Sequence, residues 1–85
     1  MSDLISRFET ARTDSKNLPE KPDNMTLLKL YALYKQGSEG DAHGERPGFT
    51  HMIERAKWHA WRALQGQSKE AAMQGYIDLI ESLKD

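Results

Sequence analysis

The length, composition and charge of this chain exclude several classes of protein. Its 85 residues are 38% hydrophobic and 29% charged, which suits one small domain, residues 1–85, with a thin core. A net charge of −1 and a pI of about 6.3 give no reason to expect general attraction to nucleic acid or anionic membranes. The chain has no cysteine, which excludes disulfides and thiolate metal sites.

The sequence also lacks the usual signals for export or membrane insertion. Residues 1–10 include acidic side chains and no apolar stretch of the kind that a signal peptide requires. No segment approaches the roughly 20 apolar residues of a membrane span. We therefore expect a cytoplasmic monomer without stable membrane insertion and without a nucleic-acid partner.

The N-terminal segment predicts an amphipathic helix followed by a stiff connector. The helix should stop near Asn17–Leu18, because Pro19 disfavours helical geometry in the residue before it. The segment from Pro19 to Pro22 then links it to the second helix. The apolar side chains of the first helix recur at helical spacing: Leu4, Ile5, Phe8 and Ala11.

The second predicted helix contains the most unusual stretch of the chain, Leu27–Lys35. Asp23 or Asn24 would cap it, and Gly37 would end it. A face roughly 120° wide combines apolar, phenolic and cationic side chains, with Lys29 and Leu33 on the opposite side. This face is either ordinary amphipathic packing or one wall of a site for a ligand with apolar and anionic parts. Its members are Leu27, Leu28, Tyr31, Tyr34 and Lys35.

A long loop, residues 37–48, contains four of the six glycines and follows this helix. A loop of this length in so small a domain predicts a connection between helices that are not simple antiparallel neighbours. It is not a phosphate-binding P-loop, because the GxxxxGK[ST] pattern is absent.

Two further helices complete the prediction of an all-α bundle of four helices. The third should run from Phe49 to Leu64, with apolar side chains on more than one face. The fourth should begin after Ser68, a good N-cap. Gly75 interrupts its apolar stripe at a cost of about 1 kcal/mol relative to alanine, and the sequence offers no reason for it other than close approach of another element.

No group of residues indicates catalysis or metal binding. His51 and His59 are too far apart for chelation from successive turns of a helix, and with His43 they are expected to be exposed to solvent. No serine has a general base at a recognisable spacing. Binding is therefore the better class of function.

Several motifs, in order and at these separations, resemble the acyl-CoA-binding protein family. The likeness runs from about Phe8 to Leu83 without a gap. Its most specific motifs are YALYKQ at 31–36, ERPG at 45–48 and AKWHAW at 56–61, joined by GD at 40–41, SKEAAM at 68–73 and YI at 76–77. The resemblance implies an up-down-down-up bundle whose long loop is an overhand connection. It also implies non-catalytic binding of medium- to long-chain acyl-CoA, with transient contact with the enzymes that use it.

The resemblance also implies which residues contact the ligand. Tyr31, Lys35 and Lys57 correspond to positions around the 3′-phosphate of CoA, and Lys16 to another position at the nucleotide end. The aromatic contacts near the nucleotide would be Tyr34 and Tyr76. Positions that flank the acyl chain correspond to Phe8, Ala11 and Leu28. Elementary chemistry agrees, since a compact dianion is best met by two ammonium groups and a hydroxyl donor.

One departure from the family and two alternative functions stay open at this point. Where the family often has a further lysine, this chain has Ile53, which predicts a weaker grip on the phosphates or greater reliance on apolar contacts. The bundle could instead be a protein-interaction module, with Trp58 and Trp61 as core residues. It could also be a carrier of free fatty acids, whereas a small thioesterase lacks a candidate nucleophile.

Overall fold

The computed structural model describes residues 2–84, apart from the side chain of Ser2, and over that range it contains helices and no strand. The helices are α1 (Ser2–Asp14), α2 (Asn24–Glu39), α3 (Met52–Arg62) and α4 (Lys69–Leu83), and a short 3-10 turn, Ser15–Asn17, continues α1. The predicted all-α class is confirmed. Within the described range, no helix is both long enough and apolar enough to cross a bilayer.

Helices α2 and α3 run in the same direction. At their N-terminal ends, Leu28 and Ile53 line one groove. At their C-terminal ends, the indole Nε1 of Trp61 donates a hydrogen bond to the carbonyl of Gly40 at 2.8 Å. The loop between α2 and α3 therefore travels back along the bundle, which is the predicted overhand connection.

Helix α4 runs antiparallel to α2. Met73, early in α4, lies against Gly37, while Gly75 lies against Leu33, one turn earlier in α2. The two helices approach closely here, since a Cβ atom on Gly75 would lie 3.2 Å from Leu33 Cδ2. The element that approaches Gly75 closely is therefore α2.

Helix α1 runs parallel to α4 and completes the up-down-down-up arrangement. The rings of Phe8 and Tyr76 meet edge to face, with centroids 5.3 Å apart. Near the other end, Lys84 forms a salt bridge of 2.8 Å with Asp14. The core lies between α1, α2 and α4, and its buried members are Phe8, Ala11, Leu30, Leu33, Ala72, Tyr76, Ile77 and Ile80.

The predicted end of α2 at Gly37 is wrong, because the helix continues to Glu39. Gly37 is buried inside α2, where a Cβ atom would meet Phe8 Cζ at 3.1 Å. The cap is Gly40, whose φ of 84° suits glycine and whose N–H donates to the carbonyl of Gln36. At the other end, Asp23 is the N-cap and accepts from the N–H of Thr26 at 2.8 Å.

Helix α3 is shorter than the predicted range 49–64. It begins only at Met52, because a turn closed by a hydrogen bond from the N–H of His51 to the carbonyl of Gly48 precedes it. Turns also follow it, up to Gly66, whose φ is 92°. The predicted N-cap of α4 is confirmed, since the side chain of Ser68 accepts from the N–H of Ala71 at 3.0 Å.

Candidate functional site

A cleft of about 490 Å³ opens where α2 faces α1 and α3, and we call it the tyrosine cleft. Three tyrosines line it, Tyr31, Tyr34 and Tyr76, together with three cationic side chains, Arg12, Lys35 and Lys57. The rest of its wall is Ser15 and the apolar residues Leu18, Pro22, Leu27 and Leu30. All residues of the mixed face of α2 except Leu28 thus line a cleft, and Leu33 on the opposite side is buried in the core.

Two of the cations lie over the faces of tyrosine rings. Nζ of Lys57 is 5.4 Å from the ring centroid of Tyr31, and Cζ of Arg12 is 4.0 Å from that of Tyr34. Among the described residues, neither cation forms an ion pair with a carboxylate. Aromatic faces therefore position these two charges without neutralising them, which leaves both able to attract an anion.

The third cation, Lys35, has partners of its own. Its ammonium group forms an ion pair with Glu39 and lies 4.8 Å from the ring centroid of Trp61. Glu39 also lies 3.1 Å from Nε2 of His43. The hydrogen bond from Lys35, followed by that from His43, lowers the pKa of the Glu39 carboxyl. An anion that binds Lys35 must therefore compete with a carboxylate that is already ionised.

The floor of the tyrosine cleft is aromatic and closely packed. Phe8 stacks on Tyr34 with ring centroids 5.5 Å apart, and Tyr76 lies 6.1 Å from Tyr34. Phe8 is only 1% exposed and Tyr76 only 3%, so both support Tyr34 from below. Ala11, at 4% exposure, is likewise part of the core.

A second depression, the apolar groove, has a volume of about 390 Å³ and lies between α2 and α3. It shares Leu27 and Lys57 with the tyrosine cleft, so the two are adjacent and meet at these side chains. Much of its apolar lining is open to solvent, since Met52 is 75% exposed and Ile53 69%. The other lining residues are Asn24, Leu28 and Ala56.

The structure brings together most, but not all, of the residues predicted for the site. The tyrosine cleft contains Tyr31, Tyr34, Lys35, Lys57 and Tyr76, and the apolar groove contains Leu28. Three do not line either depression: Lys16 is exposed in the 3-10 turn, and Phe8 and Ala11 are buried beneath the cleft.

Sequence reasoning missed Arg12. It lies four residues after Phe8 on α1, a spacing that places the two side chains on the same helix face. Because Phe8 was expected to flank the ligand, that spacing was the signal that would have identified Arg12.

The histidines and tryptophans occupy structural or solvent positions. His43, His51 and His59 are exposed, as expected. Residues 2–84 contain no group of three or more histidine or acidic side chains placed to hold a metal ion. Trp61 is buried. Trp58 is partly buried, and the indole Nε1 of Trp58 donates a hydrogen bond to the backbone carbonyl of His43 at 3.4 Å.

Comparison with known proteins identifies a family. Residues 6–80 match the family model described as Acyl CoA binding protein. The chain is 46% identical over 80 residues to acyl-CoA-binding domain-containing protein 1 of Oryza sativa subsp. japonica, covering 94% of this chain and 88% of that protein. It is 49% identical over 76 residues to human enoyl-CoA delta isomerase 2, covering 89% of this chain but only 19% of that enzyme.

Solved structures agree with the sequence matches. The crystal structure of Oryza sativa Acyl-CoA-Binding Protein 2 superposes with a TM-score of 0.92 at 40% identity, covering 96% of this chain and 89% of the other. The solution structure of Acyl Coenzyme A Binding Protein from yeast gives a TM-score of 0.71 at 46% identity, covering 89% and 88%. The fold and the resemblance seen in the motifs are thereby confirmed.

Proposed function

Since this chain belongs to the acyl-CoA-binding protein family and so binds acyl-CoA, we propose that it is a monomeric carrier of medium- to long-chain thioesters. It would hold a cytoplasmic pool of them, chemically unchanged, and deliver them through transient contacts to enzymes that use them. The observation that carries this proposal is the junction at Leu27 and Lys57, where a cationic, aromatic cleft meets an apolar groove. An acyl-CoA has the same two-part chemistry.

The tyrosine cleft suits the nucleotide end of the ligand. Lys57 and Lys35 would meet the 3′-phosphate, with the hydroxyl of Tyr31 as a third donor. Lys35 would exchange its carboxylate partner for the phosphate on binding. Tyr34, held in place by the aromatic floor, offers a face for adenine, and such stacking is worth roughly 1–3 kcal/mol. Lys16 would act from the edge of the site.

The apolar groove suits the acyl chain. At about 0.8 kcal/mol per buried methylene, a dozen methylenes contribute on the order of 10 kcal/mol before ordering losses. Leu28 and the exposed side chains of Met52 and Ile53 provide the surface against which the chain would lie. Phe8 and Ala11 would contribute by supporting the floor of the cleft. The acyl chain would thus contribute most of the binding affinity, and the phosphate contacts would determine that the ligand is a CoA thioester.

Non-catalytic binding is supported by the lining of the cleft. Its one hydroxyl other than those of the tyrosines belongs to Ser15, which donates a 2.6 Å hydrogen bond to the carbonyl of Arg12. None of the described residues lining the cleft is a histidine or a carboxylate, and the hydroxyl of Ser15 is held by its own helix. The human isomerase matches this chain over only 19% of the isomerase's own length. The isomerase activity in its name is therefore a property of that longer protein.

One titration series separates this proposal from its alternatives. We expect palmitoyl-CoA to bind tightly, CoA weakly through the nucleotide alone, and palmitate weakly through the tail alone. Isothermal titration calorimetry of the same protein with all three ligands provides the measurement. Tight binding of palmitate would instead identify a carrier of free fatty acids, and absence of binding by all three would favour an interaction module.

A further inference from the structure

Arg12 is positioned as a binding residue, although nothing in the sequence motifs assigns it a role. It extends from the last turn of α1 into the tyrosine cleft, where its guanidinium group lies over the ring of Tyr34. Tyr34 is itself fixed by stacking on Phe8. Among the described residues, Arg12 forms no ion pair. A cation that lies over a packed aromatic ring and has no carboxylate partner is available to bind an anion.

The cleft contains two such cation–tyrosine pairs on consecutive turns of α2. Lys57 of α3 covers Tyr31, and Arg12 of α1 covers Tyr34. Residues three apart on a helix have Cβ atoms about 5–6 Å apart, so the two pairs are neighbours. One cation comes from α3 and the other from α1, on the two sides of α2. The nucleotide of CoA likewise presents two anionic groups on one ribose, the 3′-phosphate and the 5′-diphosphate.

We infer that Arg12 binds the 5′-diphosphate of CoA while Lys57, Lys35 and Tyr31 hold the 3′-phosphate, an inference that rests on the proposed function. A guanidinium group stacked on a ring keeps the N–H groups along its edge for bidentate contact with phosphate oxygens. Arg12 thereby supplies a cation from α1 in a chain that has Ile53 on α3 where the family often has lysine.

Arg12 also has a purely structural alternative. A cation in the last turn of a helix interacts favourably with the helix dipole and so stabilises the helix. This effect would account for an arginine at the end of α1 without any ligand. The two roles differ in what they change. A dipole contribution affects the stability of the free protein, whereas a phosphate contact affects the dissociation constant.

Calorimetric titration with palmitoyl-CoA tests the inference against a matched control. Arg12→Ala should weaken binding on the order of tenfold, and Arg12→Lys by less, because it keeps the charge but loses the planar contact. Arg7→Ala removes the same charge from the same helix, and Arg7 lines a different groove beside Ile77 and Lys84. Its dissociation constant should match wild type, and thermal melts should show all three variants folded.

A second ligand, 3′-dephospho-palmitoyl-CoA, shows which phosphate group each of the two cations contacts. The penalty of Arg12→Ala should persist with it, whereas the penalty of Lys57→Ala should largely disappear. The inference is overturned if Arg12→Ala binds palmitoyl-CoA like Arg7→Ala, or if its penalty disappears with the dephosphorylated ligand. Failure of the proposed function would look different, because wild type itself would not bind palmitoyl-CoA.

Discussion

Asp41 accepts a hydrogen bond from the side-chain amide of Gln36 at 2.9 Å. The same carboxylate oxygen accepts from the N–H of Gly66 at 2.8 Å, and the same amide nitrogen donates to the carbonyl of Gln67 at 2.8 Å. Gln36 is fully buried in α2, Asp41 lies in the loop between α2 and α3, and the other two residues lie between α3 and α4. One side-chain pair thus joins three parts of the chain beside the helix that carries the site.

The first prediction concerns the stability that Gln36 provides. Gln36→Leu keeps the helix propensity but leaves two acceptors without their donor, and we expect it to lower the free energy of unfolding by about 1–3 kcal/mol. Urea denaturation measures the change. The matched control is Gln74→Leu, because Gln74 bonds only within α4, to Asp78. Equal midpoints for the two variants would contradict this role.

The second prediction concerns acid stability. The hydrogen bond from the N–H of Gly66, followed by that from Gln36, lowers the pKa of the Asp41 carboxyl. A carboxyl whose pKa is lower in the folded state stabilises the fold fully above its unfolded pKa and loses that effect as pH falls through the folded pKa. We therefore expect Asp41→Asn to lower stability at pH 7 and to flatten the decline below about pH 4.

Urea midpoints at pH 7, 5 and 3 check this prediction. The decline should be flattened but not abolished, since hydrogen bonds from Thr26 and from Lys35 also lower the pKa values of Asp23 and Glu39. Asp78→Asn is the control, because Asp78 accepts from Gln74 on its own helix and joins no other element. A decline as steep in Asp41→Asn as in wild type would show that Asp41 contributes nothing to acid stability.

This network shows where sequence reasoning reaches its limit. Helical periodicity predicted which side chains share a face of α2, and the resemblance predicted the order and direction of the helices. Neither indicates that Gln36 bonds a carbonyl 31 residues away. A contact of that kind depends on how the loop and the turn after α3 pack, and local pattern contains no information about that packing.

The third prediction concerns Gly37, which the sequence suggested as a helix end. Gly37→Ala would place a Cβ atom 3.1 Å from Phe8 Cζ and 3.3 Å from the backbone nitrogen of Met73. Backbone cannot move aside cheaply, so we expect a loss of about 1–3 kcal/mol in spite of the better helix propensity of alanine. Chemical denaturation at pH 7 gives the value.

Gly75→Ala provides the comparison for Gly37. Its Cβ atom would meet only the end of the Leu33 side chain, at 3.2 Å, and that side chain can adjust. The helix propensity gained, about 1 kcal/mol, should offset most of the strain, so Gly75→Ala should lie close to wild type. A loss as large at Gly75 as at Gly37 would contradict this distinction between backbone and side-chain contacts.

The burial of Phe8 and Ala11 marks another limit of sequence reasoning. A family position that flanks a ligand does not reveal whether its side chain lines the surface or supports it. In this structure Phe8 stacks on Tyr34 and is 1% exposed, whereas Arg12, which lies over the same ring, lines the cleft. The helical spacing of Phe8 and Arg12 was visible in the sequence. The difference between a buried Phe8 and a cleft-lining Arg12 was not visible, because it depends on the distance between α1 and α2.

The fourth prediction concerns the contacts proposed for the 3′-phosphate. Lys57→Ala removes a charge-assisted contact and should weaken palmitoyl-CoA binding by about 1.5–3 kcal/mol. Tyr31→Phe removes only a hydroxyl donor and keeps the ring beneath Lys57, so its effect should be smaller. Titration gives the affinities, and circular dichroism should show unchanged helicity. Wild-type affinity in either variant would remove that residue from the proposed site.

The fifth prediction concerns Ile53, which lies one turn before Lys57 on the wall of the apolar groove and is 69% exposed. Ile53→Lys adds a second ammonium group on the same face of α3, so we expect CoA to bind more tightly, by about 1 kcal/mol for a solvent-exposed charge. Palmitoyl-CoA should gain less, because the acyl chain loses an apolar contact. His59→Lys adds the same charge at an exposed position of α3 that lines neither depression, which separates local contact from general electrostatics. If Ile53→Lys folds normally and neither ligand binds more tightly, the missing lysine does not limit affinity in this chain.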